Sequence, residues 1–487
     1  MSISGKLKEL TKDTAVYGIS TVVGRFLQFL LVPFYTNLLE PGDYGISSNI
    51  YAYIAFISLV YSYGMDVAFQ KYAANAEYEE KKSLFSTTYI FLMSTSIILS
   101  VILFFGSGAM NALMEVKKYT NLIYYMILIM LFDVAAVVPF ANLRLERKAR
   151  KFALIKIVNI LLQIVLNFIL IMKAGMGIEA IFISNLAASV LTFLMLINEI
   201  RRFIILKIDK GILKKMLFFA LPYLPASLGA TIVQVVDRPL VMRMAGEDLC
   251  GIYQANYKLG IFMMLIVSMF QYAWQPFLLT NAKEKNAKEI FSKVLTLFMI
   301  AASFIWIFIS LFIDNLITLK IFGHSFFGPK YQMGWEIVPV ILLGYLFHGM
   351  YVNFTAGVYI EEKNKYLPFI TGAGALINVI VNLLLIPVLG IMGAALATLA
   401  SYILMSGLIF ILAQKYYRID YEYRKVITVL LLIILSAAAY YFFFYTNQLN
   451  IISKTGILAS FVFLMFSLKV INRNEISSAV RALLKKK

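Results

Sequence analysis

The feature that most constrains this chain is a run of about twenty apolar residues that recurs along nearly its whole length. A bilayer core is about 30 Å thick, and one helix of roughly 20 residues crosses it. Only 14% of the 487 residues are charged and 61% are hydrophobic, whereas soluble domains carry about 25% charged residues. No stretch between the apolar runs is long enough for a separate soluble domain. We therefore predict an all-α integral membrane protein.

The apolar runs predict about fourteen transmembrane helices. Their predicted limits are 14–36, 46–69, 84–106, 119–142, 152–172, 178–199, 217–241, 250–279, 290–313, 335–359, 366–387, 390–413, 424–445 and 455–471.

The distribution of basic residues predicts the orientation of these helices. If the N-terminus is cytoplasmic, most of the 44 lysine and arginine residues fall in cytoplasmic segments, for example at 144–151 and 201–215. Cytoplasmic loops of membrane proteins are enriched in these residues. We expect a multi-pass protein of the cell inner membrane, with both termini in the cytoplasm and with basic loops contacting membrane lipids. The basic residues are spread between helices, so nucleic acid is not a predicted partner.

The residue types that support catalysis or metal binding are scarce. The chain has one cysteine and two histidines, and it contains no HExxH, P-loop or G-x-S-x-G motif. We therefore predict neither an enzyme nor a metal site, and no cofactor beyond a coupling proton or sodium ion.

An internal repeat divides the chain into two related halves. The two halves match at one offset near their middle and at a second offset near their start, which implies about nine extra residues in the second half. At the first offset Glu146 falls on Glu361, Lys148 on Lys363, Asn167 on Asn382 and Gly175 on Gly390; at the second, Gln28 falls on Gln234, Pro33 on Pro239, Gly45 on Gly251 and Tyr51 on Tyr257.

Because each half holds six helices, both enter the membrane from the same side, as in parallel repeats that alternate access by rocking. We predict an N-terminal six-helix bundle at 1–200 and a C-terminal six-helix bundle at 201–415. Two extra transmembrane helices and a basic cytoplasmic tail follow at 416–487.

Ionisable side chains inside the predicted helices indicate where a binding site lies. A charge facing lipid costs several kcal/mol, so these groups are expected to face a partner or a wet cavity. Four are cations, and arginine and lysine bind phosphate groups well. The candidates for substrate binding are Arg25, Lys156, Arg238 and Lys258, and those for ion coupling or a structural role are Asp66, Asp133, Asp237 and His348.

A structural role for the same charges stays open. Each cation could pair with a carboxylate and hold helices together, for example Arg238 with Asp133 or Asp237. Adjacent residues point about 100° apart on a helix, so we do not expect Asp237 simply to neutralise Arg238.

Several segments resemble the polysaccharide transporter family, the Wzx-type flippases, within the superfamily that also holds lipid II flippases and MATE drug exporters. The second half carries Asp237-Arg238-Pro239-Leu240 and then Gly251-Ile252-Tyr253-Gln254-Ala255-Asn256-Tyr257-Lys258. The first half carries Leu39-Glu40-Pro41-Gly42-Asp43-Tyr44-Gly45 and Tyr63-Gly64-Met65-Asp66. The resemblance covers roughly residues 10–415, with Asn256 at a position where the family has a small residue.

The resemblance implies a V-shaped pair of bundles around a cationic cavity. It implies a substrate of the undecaprenyl-pyrophosphate-linked oligosaccharide class, moved to the outer leaflet for O-antigen, lipopolysaccharide or exopolysaccharide synthesis. A polysaccharide polymerase and glycosyltransferases are then expected partners. The alternatives are a lipid II flippase, a cation-coupled MATE-type drug exporter and a non-transporting membrane scaffold. Buried carboxylates would dominate the cavity of a drug exporter, and a scaffold would not require charges inside its helices.

Overall fold

The computed structural model describes residues 22–116, 118–282, 284–321, 323–446 and 448–471. The start of the first predicted helix, 14–36, and the basic C-terminal tail lie outside these residues. The described chain is almost entirely helical, which confirms the predicted fold class. The exceptions are loops and two paired strands, β1 (Lys320–Ile321) and β2 (His324–Ser325).

The helices of the first half follow the predicted apolar runs closely. They are α1 (Val22–Leu38), α2 (Pro41–Ser62), α3 (Met65–Ala73), α4 (Tyr78–Phe105), α5 (Ser107–Met114), α6 (Asn121–Leu145), α7 (Ala149–Phe168, continued by the π-helix Ile169–Lys173) and α8 (Glu179–Phe203).

The second half repeats this order with more interruptions. Its helices are α9 (Lys210–Ala220), α10 (Leu224–Val235), α11 (Asp237–Ala245), α12 (Glu247–Tyr257), α13 (Ile261–Asn281), α14 (Ala287–Thr318), α15 (Val338–Ile360), α16 (Leu367–Leu389), α17 (Ile391–Tyr416), α18 (Tyr423–Tyr445) and α19 (Ile451–Ser467). Short 3₁₀ turns lie at Leu221–Tyr223, Lys258–Gly260, Pro329–Ile337 and Asn364–Tyr366.

Eleven spans in the described ranges are long and apolar enough to cross a membrane, and α2 with α3 forms a twelfth if that bent pair counts as one. Two shorter apolar helices, Val22–Leu38 and Ile451–Ser467, fall where the first and last of the fourteen were predicted. Length and composition thus establish a multi-pass membrane protein, and the count of fourteen stays a prediction.

The second predicted helix, 46–69, is broken by a bend of 43° between α2 and α3. Tyr63 and Gly64 there have φ values of 51° and 68°, in the left-handed region that ends a helix. The break makes Asp66 part of the first turn of a new helix. A hydropathy pattern does not reveal such a break, because both sides of it are apolar.

Backbone geometry supports the repeat and its register. Arg147 and Glu362, related by the first offset, have φ values of 53° and 52°. Gly175 and Gly390, related by the same offset, have values of 65° and 55°. Equivalent helix ends therefore turn the chain in the same way in both halves.

The second offset brings two equivalent glycines face to face where α2 crosses α12. A Cβ atom added at Gly45 would overlap the carbonyl oxygen of Glu247, and one at Gly251 would overlap that of Pro41. These two contacts are exchanged by the repeat, since Pro41 and Glu247 are themselves equivalent positions. Only glycine permits this approach of two helix backbones.

Packing divides the described chain into two compact units. The first comprises 22–258, 321–337 and 366–401, and the second comprises 259–320, 338–365 and 402–471. The predicted boundaries near 200 and 415 follow the repeat rather than compactness, and they stay predictions.

The first unit has a core at one end of its helices, where Phe69 of α3, Phe85 of α4 and Phe203 of α8 are fully buried. In the second unit, α14 packs against α15 and both C-terminal helices. There Lys454 of α19 is buried and binds Asp314 of α14 at 2.5 Å.

Candidate functional site

A polar cavity of about 480 Å³ lies in the first unit among α3, α6, α7 and α8. Three of the predicted site residues, Asp66, Asp133 and Lys156, line it together. The remaining lining residues are Ala136, Val137, Phe140, Arg144, Phe152, Asn159, Gln163, Asn185, Ser189 and Thr192. We call this space the first cavity.

Helix periodicity explains why these polar residues meet. Lys156, Asn159 and Gln163 follow one another at intervals of three and four residues along α7, and so they share one face of that helix. On α8, Asn185, Ser189 and Thr192 share a face in the same way. Hydrogen bonds from Asn159 to Thr192 and from Gln163 to Asn185 show that the two polar faces are turned towards each other.

Two charged groups of the first cavity, Asp133 and Lys156, contact neutral neighbours. Asp133 accepts a hydrogen bond from Ser189 Oγ at 2.7 Å. The Lys156 ammonium group lies 4.6 Å from the centre of the Phe140 ring, and among the described residues no ion pair joins it to Asp133. Arg144 and Lys156 thus supply two positive charges to a space that also holds Asp66 and Asp133.

A continuous row of hydrogen-bonded side chains crosses the wall of the cavity. Asn159 Nδ2 donates to Thr192 Oγ1 at 2.9 Å, and Gln163 Nε2 donates to Asn159 Oδ1 at 2.9 Å. Gln163 Nε2 also donates to Asn185 Oδ1 at 3.3 Å, and Asn185 Nδ2 donates to Tyr51 Oη at 2.9 Å. We call Asn159, Gln163 and Asn185 the amide row.

A second cavity of about 270 Å³ adjoins this row in the same unit. Gln163 and Asn185 line both cavities. Lys258 lines only the second cavity, where its ammonium group lies 5.8 Å from the centre of the Tyr44 ring. The other lining residues of the second cavity are Gln28, Leu31, Tyr35, Ser47, Ser48, Tyr51, Ile181 and Gln254.

The expectation that Asp237 does not neutralise Arg238 is wrong. Arg238 Nη1 lies 3.2 Å from Asp237 Oδ1, and both side chains are buried. The flexible arginine side chain folds back along α11, which overcomes the angular separation of adjacent residues. Tyr253 donates to the other oxygen of Asp237, and Arg238 Nε donates to Gln254 Oε1 at 2.8 Å. Gln254 also lines the second cavity and thus connects Arg238 to it.

Two other predicted site residues line neither cavity. Arg25 is exposed on α1 and lines neither of them. His348 lies in the second unit on α15, with its ring centre 4.9 Å from that of Tyr402 and 6.1 Å from that of Tyr351. Substrate or coupling roles for these residues stay predictions.

A cluster of ion pairs lies near the ends of the helices that form the first cavity. Glu146 binds Lys148 at 2.7 Å and Lys81 at 3.4 Å, while Glu199 binds Lys151 at 2.7 Å and Lys148 at 3.2 Å. Partial burial alone would raise the pKa of Glu146, but the hydrogen bonds and charges of Lys148 and Lys81 outweigh it and lower that pKa. The cluster ties α4, α6, α7 and α8 together.

Sequence reasoning missed Arg144 and the neutral polar lining. It assigned Arg144 to a cytoplasmic segment, and it followed charges rather than amides. The signal that was present is the spacing of Lys156, Asn159 and Gln163 within an otherwise apolar helix. Within the described ranges no group of three or more His, Cys, Asp or Glu side chains lies close enough to hold a metal ion.

Solved structures with the same fold are helical membrane transporters. The inward-closed lipid II flippase MurJ matches with a TM-score of 0.72 and 17% identity, covering 94% of this chain and 100% of that one. An inward-facing multidrug resistance MATE transporter of the MOP superfamily matches with a TM-score of 0.66 and 15% identity, over 80% of this chain and 94% of that one. A MOP superfamily transporter from Pyrococcus furiosus, described by the reverse polarity of its binding pocket, matches with a TM-score of 0.57 and 14% identity. The match covers 83% of this chain and 95% of that one.

These likenesses establish the class: the chain has the fold of MOP superfamily transporters. A comparison with curated protein sequences gives no significant match. The family model for polysaccharide biosynthesis proteins matches residues 10–281, more than half of the chain. The chain therefore belongs to the polysaccharide biosynthesis protein family, which confirms the family predicted from its motifs.

Proposed function

We propose that this protein is a flippase that moves an undecaprenyl-pyrophosphate-linked oligosaccharide from the cytoplasmic to the outer leaflet for cell-surface polysaccharide synthesis. The observation that carries the proposal is the pair of adjoining polar cavities inside the helices of a member of the polysaccharide biosynthesis family. Together the cavities carry Arg144, Lys156 and Lys258 against Asp66 and Asp133. A diphosphate group fits a site in which basic side chains outnumber acidic ones.

The cost of moving the headgroup explains why such a site is needed. A diphosphate crossing a medium of low dielectric constant loses its hydration, at a cost far above any single packing interaction. Basic side chains placed inside the protein offset part of this cost, while the prenyl chain stays in lipid. Alternating exposure of the site to the two membrane faces then completes transport.

Three of the four predicted coupling residues, Asp66, Asp133 and Asp237, lie in the first unit. Asp66 and Asp133 line the first cavity with Lys156, so a proton or sodium ion bound there would alter the charge beside the substrate. Asp237 is already paired with Arg238. We therefore assign gradient coupling to Asp133 or Asp66, and Asp133→Asn should remove any stimulation of flipping by an imposed gradient.

The proposed setting is the inner membrane, with both termini in the cytoplasm. The substrate arrives on that side from glycosyltransferases and leaves on the other side for a polysaccharide polymerase.

The first experiment is flipping by the purified protein in liposomes, with a fluorescent prenyl-pyrophosphate oligosaccharide whose exposure in the outer leaflet is followed. Lys156→Gln and Lys258→Gln should each lower the initial rate by about tenfold or more, because each removes a charge-assisted hydrogen bond to the polar headgroup of the substrate. Lys293→Gln is the matched control, since Lys293 pairs with Glu289 on an exposed helix face at 2.7 Å. Normal flipping by both cavity variants would disprove the site.

The second candidate function is flipping of lipid II, favoured by the alignment of the MurJ fold over 94% of this chain. Transport of lipid II but not of a peptide-free lipid-linked glycan would select it. Efflux of an organic cation without any lipid flipping would instead select the drug-exporter class, with Asp66 and Asp133 as its cation-binding groups.

A further inference from the structure

We infer that the amide row is the sugar-recognition element of the site and that it lies at the junction between the diphosphate and the first sugar. This inference rests on the proposed function and deepens it. It places the diphosphate in the first cavity, the glycan in the second cavity and the first sugar against Gln163 and Asn185.

The position of the row carries the first part of the argument. Gln163 and Asn185 line both cavities, so a ligand that extends from one cavity into the other must pass them. The first cavity offers Arg144 and Lys156, whereas the second offers Lys258 as its one basic group among the described lining residues. Arg144 is the one guanidinium group among the described lining residues of the two cavities, and a guanidinium group binds phosphate through two parallel hydrogen bonds, so the diphosphate is placed in the first cavity even though Asp66 and Asp133 also line it.

The chemistry of the row carries the second part. Ammonium groups only donate hydrogen bonds and carboxylates only accept them, but an amide does both. A sugar hydroxyl also does both, so a row of amides matches consecutive hydroxyls without any charge. Tyr35, Tyr44 and Tyr51 add aromatic faces and hydroxyl groups to the second cavity, which suits the alternating apolar and polar faces of a sugar ring.

Two residues that line the second cavity have unused hydrogen-bonding capacity. Gln163 Nε2 serves both Asn159 and Asn185, while among the described residues Gln163 Oε1 accepts no hydrogen bond. Tyr51 Oη accepts from Asn185, and its own proton has no acceptor in the described part of the chain. Two residues that line the second cavity thus retain one acceptor and one donor for a hydroxylated ligand.

The repeat shows that the fold does not require this row. At the equivalent positions of the second half, Asn159 is matched by Gly374, Asn185 by Ala400 and Thr192 by Gly407. Only Gln163 has an amide counterpart, Asn378, which is buried and accepts from Asn382 at 2.9 Å. A polar row kept in one half alone indicates a ligand rather than a packing requirement.

The test compares two fluorescent lipids in the liposome assay, a prenyl pyrophosphate with its oligosaccharide and the same prenyl pyrophosphate without sugars. Gln163→Met and Asn185→Leu keep the side-chain size and remove the amide. Each should raise the KM for the glycan-bearing lipid about three- to tenfold, the effect of one lost hydrogen bond, and leave the KM for the sugar-free lipid unchanged. Asn378→Leu removes the repeat-equivalent amide and should change neither value.

The outcomes separate this inference from the proposed function. Wild-type protein that flips neither lipid overturns both. If the wild-type protein flips the lipids and the KM values are unchanged in Gln163→Met and Asn185→Leu, the inference alone is overturned. An equal rise for both lipids, or the same rise in Asn378→Leu, assigns the row a structural role and also overturns it. Thermal unfolding of each variant in detergent checks that it is folded.

Discussion

Replacing Arg238 by glutamine should destabilise the protein strongly, because it strands a buried carboxylate. Asp237 is 1% exposed and Arg238 is 8% exposed, and their charged atoms are 3.2 Å apart. At an effective dielectric constant of about 20, such a pair interacts with about 5 kcal/mol. Removing one partner of a buried pair costs about 3–5 kcal/mol. Arg238→Gln should therefore lower the free energy of unfolding by ~4 kcal/mol.

The double variant Asp237→Asn with Arg238→Gln provides the decisive comparison. It leaves no unpaired charge, and the amides retain hydrogen bonds to Tyr253 and Gln254. Its loss of stability should be smaller than the sum of the two single losses by about 1–3 kcal/mol. Heating in detergent, followed by size-exclusion chromatography with fluorescence detection, ranks the four proteins, and unfolding by titration with denaturing detergent gives the free energies.

Additive losses, or single losses below about 0.5 kcal/mol, would refute the argument that this pair is buried and coupled. The same four proteins also decide whether Arg238 contacts substrate. If the double variant recovers both stability and flipping, Arg238 acts as a structural residue that positions Gln254. If it recovers stability while flipping stays absent, the guanidinium group contacts the substrate, as the sequence predicted.

Three further predictions concern packing and charge. Gly251→Ala should cost ~1–3 kcal/mol in thermal unfolding, because the added methyl meets a helix backbone, whereas Gly407→Ala, with open space around it, should be neutral or slightly stabilising. The pKa of Glu146 is lowered in the folded protein. Glu146 therefore stabilises the folded protein at pH values above its unfolded pKa of about 4.3, and this contribution is lost as the pH falls through the lower folded pKa. Glu146→Gln should flatten the loss of thermal stability in that acid range, and an unchanged pH profile would contradict the pairing. Lys454→Met should lower the unfolding free energy by ~2 kcal/mol, because it breaks charge-assisted bonds to Asp314, and a loss within 0.5 kcal/mol would count against that contact.

The helices were predictable from the sequence because the bilayer imposes their length. Twenty apolar residues have few alternatives in a membrane, where the backbone must satisfy its own hydrogen bonds. The predicted run at 84–106 corresponds to Tyr78–Phe105 and the run at 390–413 to Ile391–Tyr416. The bend at Tyr63 and Gly64 was missed, because hydropathy does not record a local change of backbone direction.

The candidate site was predictable in part. The rule that charges avoid lipid singled out Asp66, Asp133 and Lys156, which the structure places around one cavity, and their roles in transport stay predictions. The same rule gave no reason to separate them from Arg238, which the structure pairs with Asp237. A charge inside a helix needs a polar neighbour, but periodicity along one helix does not say which helix supplies it.

The sequence by itself determined that the chain spans a membrane many times, that its halves repeat and that it belongs to the polysaccharide biosynthesis family. The tertiary structure decided which polar side chains meet. It joined the amides of α7 and α8 into one row, placed Lys258 beyond that row and neutralised Arg238. Burial of apolar helices depends on local composition, which a sequence displays directly. Contacts between polar side chains depend on how helices that are far apart in the chain cross each other. The close approach of Gly45 to Gly251 is one such crossing, and only the tertiary structure shows it.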